Sequence, residues 1–325
     1  MMADERKVLI TDAPWGDVAI ESAILKPHGV SVIAAPNGRE STLAEQASDV
    51  DAIATCWAKV TSAVINAAAR CRHIARMGIG LDNIDVASAT ARGMLVTNVP
   101  DYCVEEVADH AMALLLASVR NVGFFHHRIK TGEYDLKAGA PMHRLSGRTL
   151  GLIGFGKTAR AVFQRAKGFG LRVIAASASG NDYGTGCRMV SLDELLAESD
   201  LISIHAPLTP ETRHLVNRGT LARCRRGVFL VNTSRGGLID QSALQEALES
   251  GQVAGAGLDV FDPEPPDVSQ PLLRNERVIA TPHAAFVSEE SLVELRERVA
   301  RQIADVLEGR TPPHVVNGLR VGDGP

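Results

Sequence analysis

The 325-residue sequence has no C-x-x-C pair, no H-E-x-x-H, no surplus of basic charge and no apolar run long enough to span a membrane. Each absence excludes something. The five cysteines, Cys56, Cys71, Cys103, Cys187 and Cys224, are odd in number and scattered. Free thiols in a reducing cytoplasm are expected, and a metal site such as zinc is not. Lys and Arg total 34 against 38 Asp and Glu, for a formal charge of −4 and a pI near 6.2. Nucleic acid and anionic membranes are therefore not expected partners, because no basic excess exists to neutralise their phosphates. The best apolar stretch, Ala111–Val119, is about half of the roughly 18 residues a membrane span needs, and Arg120 follows it. Met1–Lys7 mixes both charge signs without a long apolar region, so no secretory signal is expected. His126-His127 lacks a suitably spaced carboxylate or histidine partner, which leaves a metal-dependent hydrolase without support.

What is present is a globular composition, 45% hydrophobic and 22% charged, at a length that suits two domains of ordinary size. Val8–Ile10, Val30–Ala34, Ala52–Ala54 and Ile74–Met77 predict buried strands, with helices such as Val18–Lys26 and Ser62–Arg70 between them. A second series runs through Leu150–Ile153, Val173–Ala175, Leu201–Ile204, Val228–Val231 and Val278–Ala280. Unbroken apolar strands separated by helices indicate parallel sheets covered on both faces. The expected class is α/β, with two Rossmann-like doubly wound parallel-sheet domains. Val104–Arg120 predicts a long apolar helix, and apolar positions recur at helical spacing through Ser288–Glu308. Both helices are expected to cross between domains. His126–Arg144 is polar, glycine-bearing and without periodicity, and the tail beyond Asn317 is expected to be poorly ordered.

Gly154-Phe155-Gly156-Lys157-Thr158-Ala159 follows an apolar strand and opens a helix, the context of a dinucleotide fingerprint. The first glycine permits the tight turn. The second lets pyrophosphate approach the backbone, where amides at the helix start meet its charge. The carboxylate that grips the adenosine ribose should end the second strand near Ser177, yet Ala176-Ser177-Ala178-Ser179 has none, and Asp182 is expected past the turn. Its absence makes NADP admissible beside NAD, although no arginine follows directly to take a 2′-phosphate. Cofactor preference stays open.

Three further stretches lie just past apolar strands, on the edge where open parallel sheets bind ligands. They are Asn232-Thr233-Ser234-Arg235-Gly236-Gly237, Gly257–Pro265 with Asp259 and Glu264, and Thr281-Pro282-His283-Ala284-Ala285-Phe286. An arginine can grip a substrate carboxylate in a two-pronged, charge-assisted pair. A histidine can give a proton to a carbonyl oxygen as hydride reaches its carbon, and take it back in reverse. A nearby glutamate favours the imidazolium and fixes the ring. Arg235, Glu264 and His283 thus predict a catalytic trio for hydride transfer to a 2-oxo acid.

Over essentially its whole length the sequence resembles the D-isomer-specific 2-hydroxyacid dehydrogenases. The stretches that carry the resemblance are Leu150–Gly156, Leu230–Gly237, Leu258-Asp259-Val260 with Glu264-Pro265, and Thr281-Pro282-His283. Asn98-Val99-Pro100, Val104-Glu105-Glu106 and Thr281–Ala285 are most similar to the branch that includes the C-terminal-binding-protein corepressors. The resemblance implies that Arg235 orients substrate, His283 is the acid/base and Glu264 is its partner. It implies that Asp259 holds the nicotinamide amide and that Lys157, Thr158, Pro207, Thr212 and Thr233 line the cofactor groove. With Gly154, Gly156, Ser177 and Ile79 they form the expected cofactor-binding set. The Met77–Asp85 loop matches the family loop whose amides receive the substrate carboxylate, which puts Gly78, Ile79 and Gly80 beside Arg235 as substrate-binding residues.

The family fold implies a cofactor domain, 102–285, inserted into a catalytic domain made of 1–101 and 286–325. Family members are commonly homodimers, and Val104–Arg120 is either an interface or internal core. The stretch Thr55–Lys59 has only Lys59 where phosphoglycerate-using relatives place arginines, and no added regulatory domain is expected. A small substrate such as glyoxylate or hydroxypyruvate is therefore expected rather than a phosphorylated one. Formate-oxidising relatives use glutamine where Glu264 stands, which disfavours that chemistry. The alternative to a dehydrogenase is a dinucleotide-sensing dimeric binding protein of the corepressor type.

Overall fold

The structure, a computed structural model, describes residues 5–322. The stretch Met1–Asp4, on which most of the signal-peptide reading rests, lies outside the described residues, as do the last three of the tail. The chain divides into two compact units, Met1–Tyr102 with Ser288–Pro325, and Cys103–Val287. The chain passes between them just before Val104–Val119 and Glu289–Leu307, so each of the two long helices lies within one unit rather than spanning both.

The first unit is built on strands β1 (Arg6–Ile10), β2 (Val30–Ala34), β3 (Ala52–Thr55), β4 (His73–Arg76) and β5 (Leu95–Thr97), ordered β2-β1-β3-β4-β5 and parallel throughout. Every residue of β3 and β4 is buried. Helices cover both faces of such a sheet, which accounts for the non-alternating Ala52-Ile53-Ala54 run of β3, while β4 buries His73 and Arg76 together with Ile74 and Ala75. The helix Glu289–Leu307 opens with a capping box between Ser288 and Ser291, and Glu289 and Glu290 complement its positive end. Leu295, Val299, Ile303 and Val306 recur on its buried side. Among them Arg296 is buried as well, and Nε and Nη2 each lie 2.8 Å from a carboxylate oxygen of Glu21, itself buried on the helix Ala19–Leu25.

The tail is held further along than expected. Asn317 Nδ2 donates to the Met94 carbonyl at 2.9 Å and to Thr90 Oγ1 at 3.0 Å, and the Val321 N–H donates to Thr311 Oγ1 at 3.0 Å. Side-chain caps of this kind anchor a segment without any apolar signal in its sequence.

The second unit carries strands β6 (Thr149–Ile153), β7 (Arg172–Ala176), β8 (Arg188–Met189), β9 (Leu201–Ile204), β10 (Val228–Asn232), β11 (Val253–Leu258) and β12 (Val278–Ala280). They form one parallel sheet in the order β12-β11-β10-β9-β6-β7-β8. One face packs on Val104–Val119 and Lys157–Gly168, through residues such as Leu115, Leu150, Leu152, Val162 and Phe163. The other packs on Leu192–Glu198, Arg218–Arg223 and Gln241–Glu249, through Leu195, Leu221, Leu230, Leu244 and Leu248. Strand order reverses between β6 and β9, and the crevice at such a switch point, outside the carboxyl ends of the strands, is where open α/β sheets take ligands.

Two of the elements that the sequence did not announce have a clear physical reason. Strand β11, Val-Ala-Gly-Ala-Gly-Leu, has little side chain to signal a buried strand, because a Cβ on Gly257 would stand 2.8 Å from Leu114 Cβ. The polar segment after Arg120 contains a helix, Val122–Lys130, that buries none of its residues and so carries no core-facing stripe to read.

Candidate active site

The glycine turn sits at the carboxyl end of β6, beside the end of β9. Gly154 has φ +89, and a Cβ there would lie 2.7 Å from Ala206 N and from the His205 carbonyl. Only glycine lets the two chain segments meet this closely. A Cβ on Gly156 would meet open space, so the second glycine leaves the helix start uncovered, with Lys157 exposed beside it. The Gly154 N–H donates to Ala176 O at 2.8 Å, which ties the turn to the end of β7, where Ser177 begins the next turn.

On the far side of the switch point Thr212 Oγ1 donates to the Pro207 carbonyl at 2.7 Å and accepts from Thr209 N–H at 2.7 Å. The Thr212 hydroxyl therefore shapes the Pro207–Thr212 turn. Thr233 differs: its Oγ1 is buried and has no partner among the described residues. A buried hydroxyl is rarely left so, and an orphan on the same carboxyl edge of the sheet as the glycine cradle fits a site that takes a polar ligand. The residues present thus fit a dinucleotide.

Arg235 is positioned by the residues around it. The Asn232 side chain, fully buried at the end of β10, accepts from Ser234 N–H at 3.0 Å and donates to the Arg235 carbonyl at 2.9 Å. Gly236 follows, and a Cβ there would stand 2.0 Å from the Phe261 carbonyl carbon. The Arg235 turn consequently lies directly against the backbone of the loop that carries Glu264. Arg235 itself is part-buried, with Nη1 2.8 Å from the Ser234 carbonyl.

His283 and Glu264 form the centre of the site. His283 Nδ1 and Glu264 Oε2 are 2.8 Å apart, and Glu264 Oε1 accepts from Phe261 N–H at 2.9 Å. With Nδ1 on the carboxylate, Nε2 lies on the edge of the imidazole ring away from Glu264. Burial alone would raise the Glu264 carboxyl, but the His283 hydrogen bond, the His283 charge, the Phe261 N–H and the Arg235 charge outweigh it. Together they hold the group below its ordinary value of 4.5. All three residues of the expected trio belong to this one unit, and the Arg235 charge acts on the Glu264 carboxylate.

Asp259 is deeper in the structure than its expected role suggested. Its carboxylate is fully buried: Oδ1 accepts from Thr281 Oγ1 at 2.5 Å and from Ala284 N–H at 2.9 Å, and Oδ2 accepts from Ala285 N–H at 2.9 Å. His110 Nε2 lies 2.9 Å from Thr281 Oγ1 and 3.5 Å from Asp259 Oδ1. The Asp259 carbonyl also accepts from His283 N–H at 2.8 Å. This cluster holds His283 at φ +54, a left-handed conformation that costs a non-glycine residue about 1–3 kcal/mol unless its surroundings fix it. His110 was not singled out in the sequence. A lone imidazole within the apolar stretch Val107–Val119 was the available signal.

In the first unit the Met77–Asp85 loop follows β4. The Gly78 and Ile79 carbonyls accept from Val99 N–H at 3.0 Å and Asn98 Nδ2 at 2.8 Å. Among the described residues no group accepts from the amides of Gly78, Ile79 or Gly80. The Arg76 guanidinium, largely buried, lies against Gly78 and donates to the Met77 carbonyl.

Residues 112–285 match the family model described as D-isomer specific 2-hydroxyacid dehydrogenase, NAD binding domain. A glyoxylate reductase of Korarchaeum cryptofilum is 41% identical over 286 residues, 86% of each chain. A hydroxypyruvate reductase of Thermotoga maritima is 42% identical over 251 residues, covering 75% of this chain and 82% of that one. The D-lactate dehydrogenase of Aquifex aeolicus, solved with NAD and lactic acid, superposes with a TM-score of 0.86 at 29% identity, covering 98% of this chain and 100% of that one. Sequence, fold and family model agree, and the chain belongs to the D-isomer-specific 2-hydroxyacid dehydrogenases.

Proposed function

We propose that the protein reduces a small 2-oxo acid to the corresponding D-2-hydroxy acid with NAD(P)H, and runs the reverse oxidation when the hydroxy acid is in excess. The single observation that carries this reading is the 2.8 Å contact between His283 Nδ1 and Glu264 Oε2 with Arg235 acting on the same carboxylate. A bound reduced nicotinamide supplies a hydride to the carbonyl carbon. Arg235 grips the substrate carboxylate and holds the carbonyl toward the imidazole. His283 Nε2 gives its proton to the carbonyl oxygen as that oxygen gains charge, which leaves an alcohol and a neutral imidazole. Glu264 balances the imidazolium before transfer and keeps its ring in place.

The unit Cys103–Val287 is assigned to the dinucleotide and the other to the substrate. Gly154, Gly156, Lys157, Thr158, Ser177, Pro207 and Thr233 are assigned to the cofactor groove, with Thr212 shaping its wall. The Gly78, Ile79 and Gly80 amides are assigned to an anionic substrate group, and Ile79 also to the cofactor. Asp259 is assigned chiefly to the turn that carries His283, with any contact to the nicotinamide amide secondary. Glyoxylate and hydroxypyruvate are the favoured substrates because relatives of those names resemble most of the chain. A homodimer is proposed by family analogy. A cytoplasmic setting is proposed from five buried, unbridged cysteines, and no helix among the described residues is long and apolar enough to cross a membrane.

A panel of 2-oxo acids with each reduced cofactor, followed by nicotinamide absorbance, tests the reading. Turnover of glyoxylate or hydroxypyruvate is expected, and His283→Ala should lower it by about 10²–10⁴-fold. Silence across the panel with tight dinucleotide binding would instead favour the sensing protein, and an unaltered rate in the variant would remove His283 from proton transfer.

A further inference from the structure

The end of β7 has no carboxylate for a ribose, and what surrounds it is suited to the opposite charge. Ser177 and Ser179 stand on a turn closed by the Gly180 N–H on the Ser177 carbonyl at 3.1 Å, with their hydroxyl oxygens 3.4 Å apart. The next acidic side chain, Asp182, turns into its own loop, where its two oxygens accept from Gly184 N–H and Gly186 N–H at 3.1 Å each. That carboxylate is spent on backbone and is not aimed at Ser177.

A cation reaches the loop that continues from this turn, and from an unexpected direction. Arg160 lies in the first turns of the helix Lys157–Gly168, directly after the glycine cradle, rather than after β7. Its guanidinium carbon lies 4.2 Å from the centroid of the Tyr183 ring. Tyr183 belongs to the Ser177 loop: its N–H donates to Asn181 Oδ1 at 2.7 Å, and the Asn181 N–H donates to Ser179 Oγ at 3.3 Å. No carboxylate pairs with Arg160 among the described residues; Nη1 has only a long 3.5 Å contact with the Phe155 carbonyl. A guanidinium stacked face-on over an aromatic ring keeps its edge donors available, and those edges suit a phosphate in two-pronged fashion.

We propose that Ser177, Ser179 and Arg160, the last braced on Tyr183, form a subsite for the 2′-phosphate of NADPH, and that the enzyme prefers NADPH to NADH. The inference rests on the reductase reading only in so far as a dinucleotide occupies the cradle. In a doubly wound fold the adenosine ribose lies at the end of the second strand. A 2′-hydroxyl there finds no carboxylate to accept its hydrogen bond. A 2′-phosphate finds two hydroxyl donors and a guanidinium.

The test requires no oxo acid. Binding of NADPH and NADH is measured by nicotinamide fluorescence, and binding of adenosine 2′,5′-bisphosphate and AMP by calorimetry, for the parent and for Arg160→Gln and Ser177→Asp. The phosphorylated member of each pair should bind about 10-fold or more tightly to the parent. Arg160→Gln should weaken that member by roughly 10- to 100-fold and the other by less than about twofold. Ser177→Asp should reverse the preference, because its carboxylate repels the phosphate and accepts from a hydroxyl. Equal binding of both members by the parent, or equal weakening of both by Arg160→Gln, overturns the subsite and leaves the reductase reading intact. Failure of every nucleotide to bind overturns both.

Discussion

The Asp259 carboxylate and the Thr281 hydroxyl stand 2.5 Å apart, two residues ahead of the imidazole of the Glu264–His283 pair. An acidic side chain that faces the Ala284 and Ala285 amides as well as this hydroxyl is the clamp on which the position of His283 depends. The site therefore has two carboxylates with separate tasks. Glu264 touches the ring, and Asp259 holds the backbone that presents the ring.

Asp259→Asn separates those tasks. An amide can accept through one atom only, so one of the buried Ala284 or Ala285 N–H groups is left facing an NH2 donor. An unsatisfied buried donor costs about 1–3 kcal/mol. A lowered thermal midpoint is expected, together with a fall in kcat of about 10²-fold from displacement of His283, while NAD(P)H affinity changes much less. Equal loss of cofactor affinity and kcat would instead put the Asp259 carboxylate on the nicotinamide.

Glu264 gives a pH signature in stability. Its folded carboxyl lies below 4.5, so the unfolded state takes up its proton first as pH falls. The resulting stabilisation is fully present above the unfolded value and is lost as pH drops through the folded one. Glu264→Gln should therefore be less stable than the parent in urea titrations above the ordinary value of 4.5, with the gap narrowing as pH falls below it. A gap independent of pH would mean that packing, not the ion pair, is what the substitution removes.

Arg296 and Glu21 give a stability test away from the site. Glu21→Ala strands a buried guanidinium that still has Asp17 Oδ1 at 2.7 Å on its more exposed side. Breaking a buried pair by removing one partner costs about 3–5 kcal/mol, with the Asp17 contact drawing the value toward the lower end. Chemical denaturation followed by a probe in the first unit reads the change. A loss below about 1 kcal/mol would show that the pair behaves as a surface ion pair does.

Strands covered on both faces were legible in the sequence because burial removes alternation, as in β3 and β6. The glycine turn and the Arg235, Glu264 and His283 stretches were legible because each needs particular residue types just past a strand. Strand β11 was not, since close approach of Leu114 replaces side chains by glycine there. The Arg296–Glu21 pair spans 275 residues, and nothing local in either helix announces the other. The Asp259 clamp was hidden for a related reason: two of its partners are backbone amides, which any residue can supply. Arg160 escaped notice because the expected phosphate ligand was sought after β7, while stacking on Tyr183 brings the charge in from the neighbouring helix.

Gly236 joins the Arg235 turn and the loop that bears Glu264 into mechanically one part. Since the Phe261 peptide fills the space a methyl group at position 236 would need, anything that shifts the loop bearing Glu264 also shifts the guanidinium next door. The two loops thus cannot drift apart independently, and under the proposed reaction a change of substrate length has to be absorbed by the residues around them and not by either loop alone.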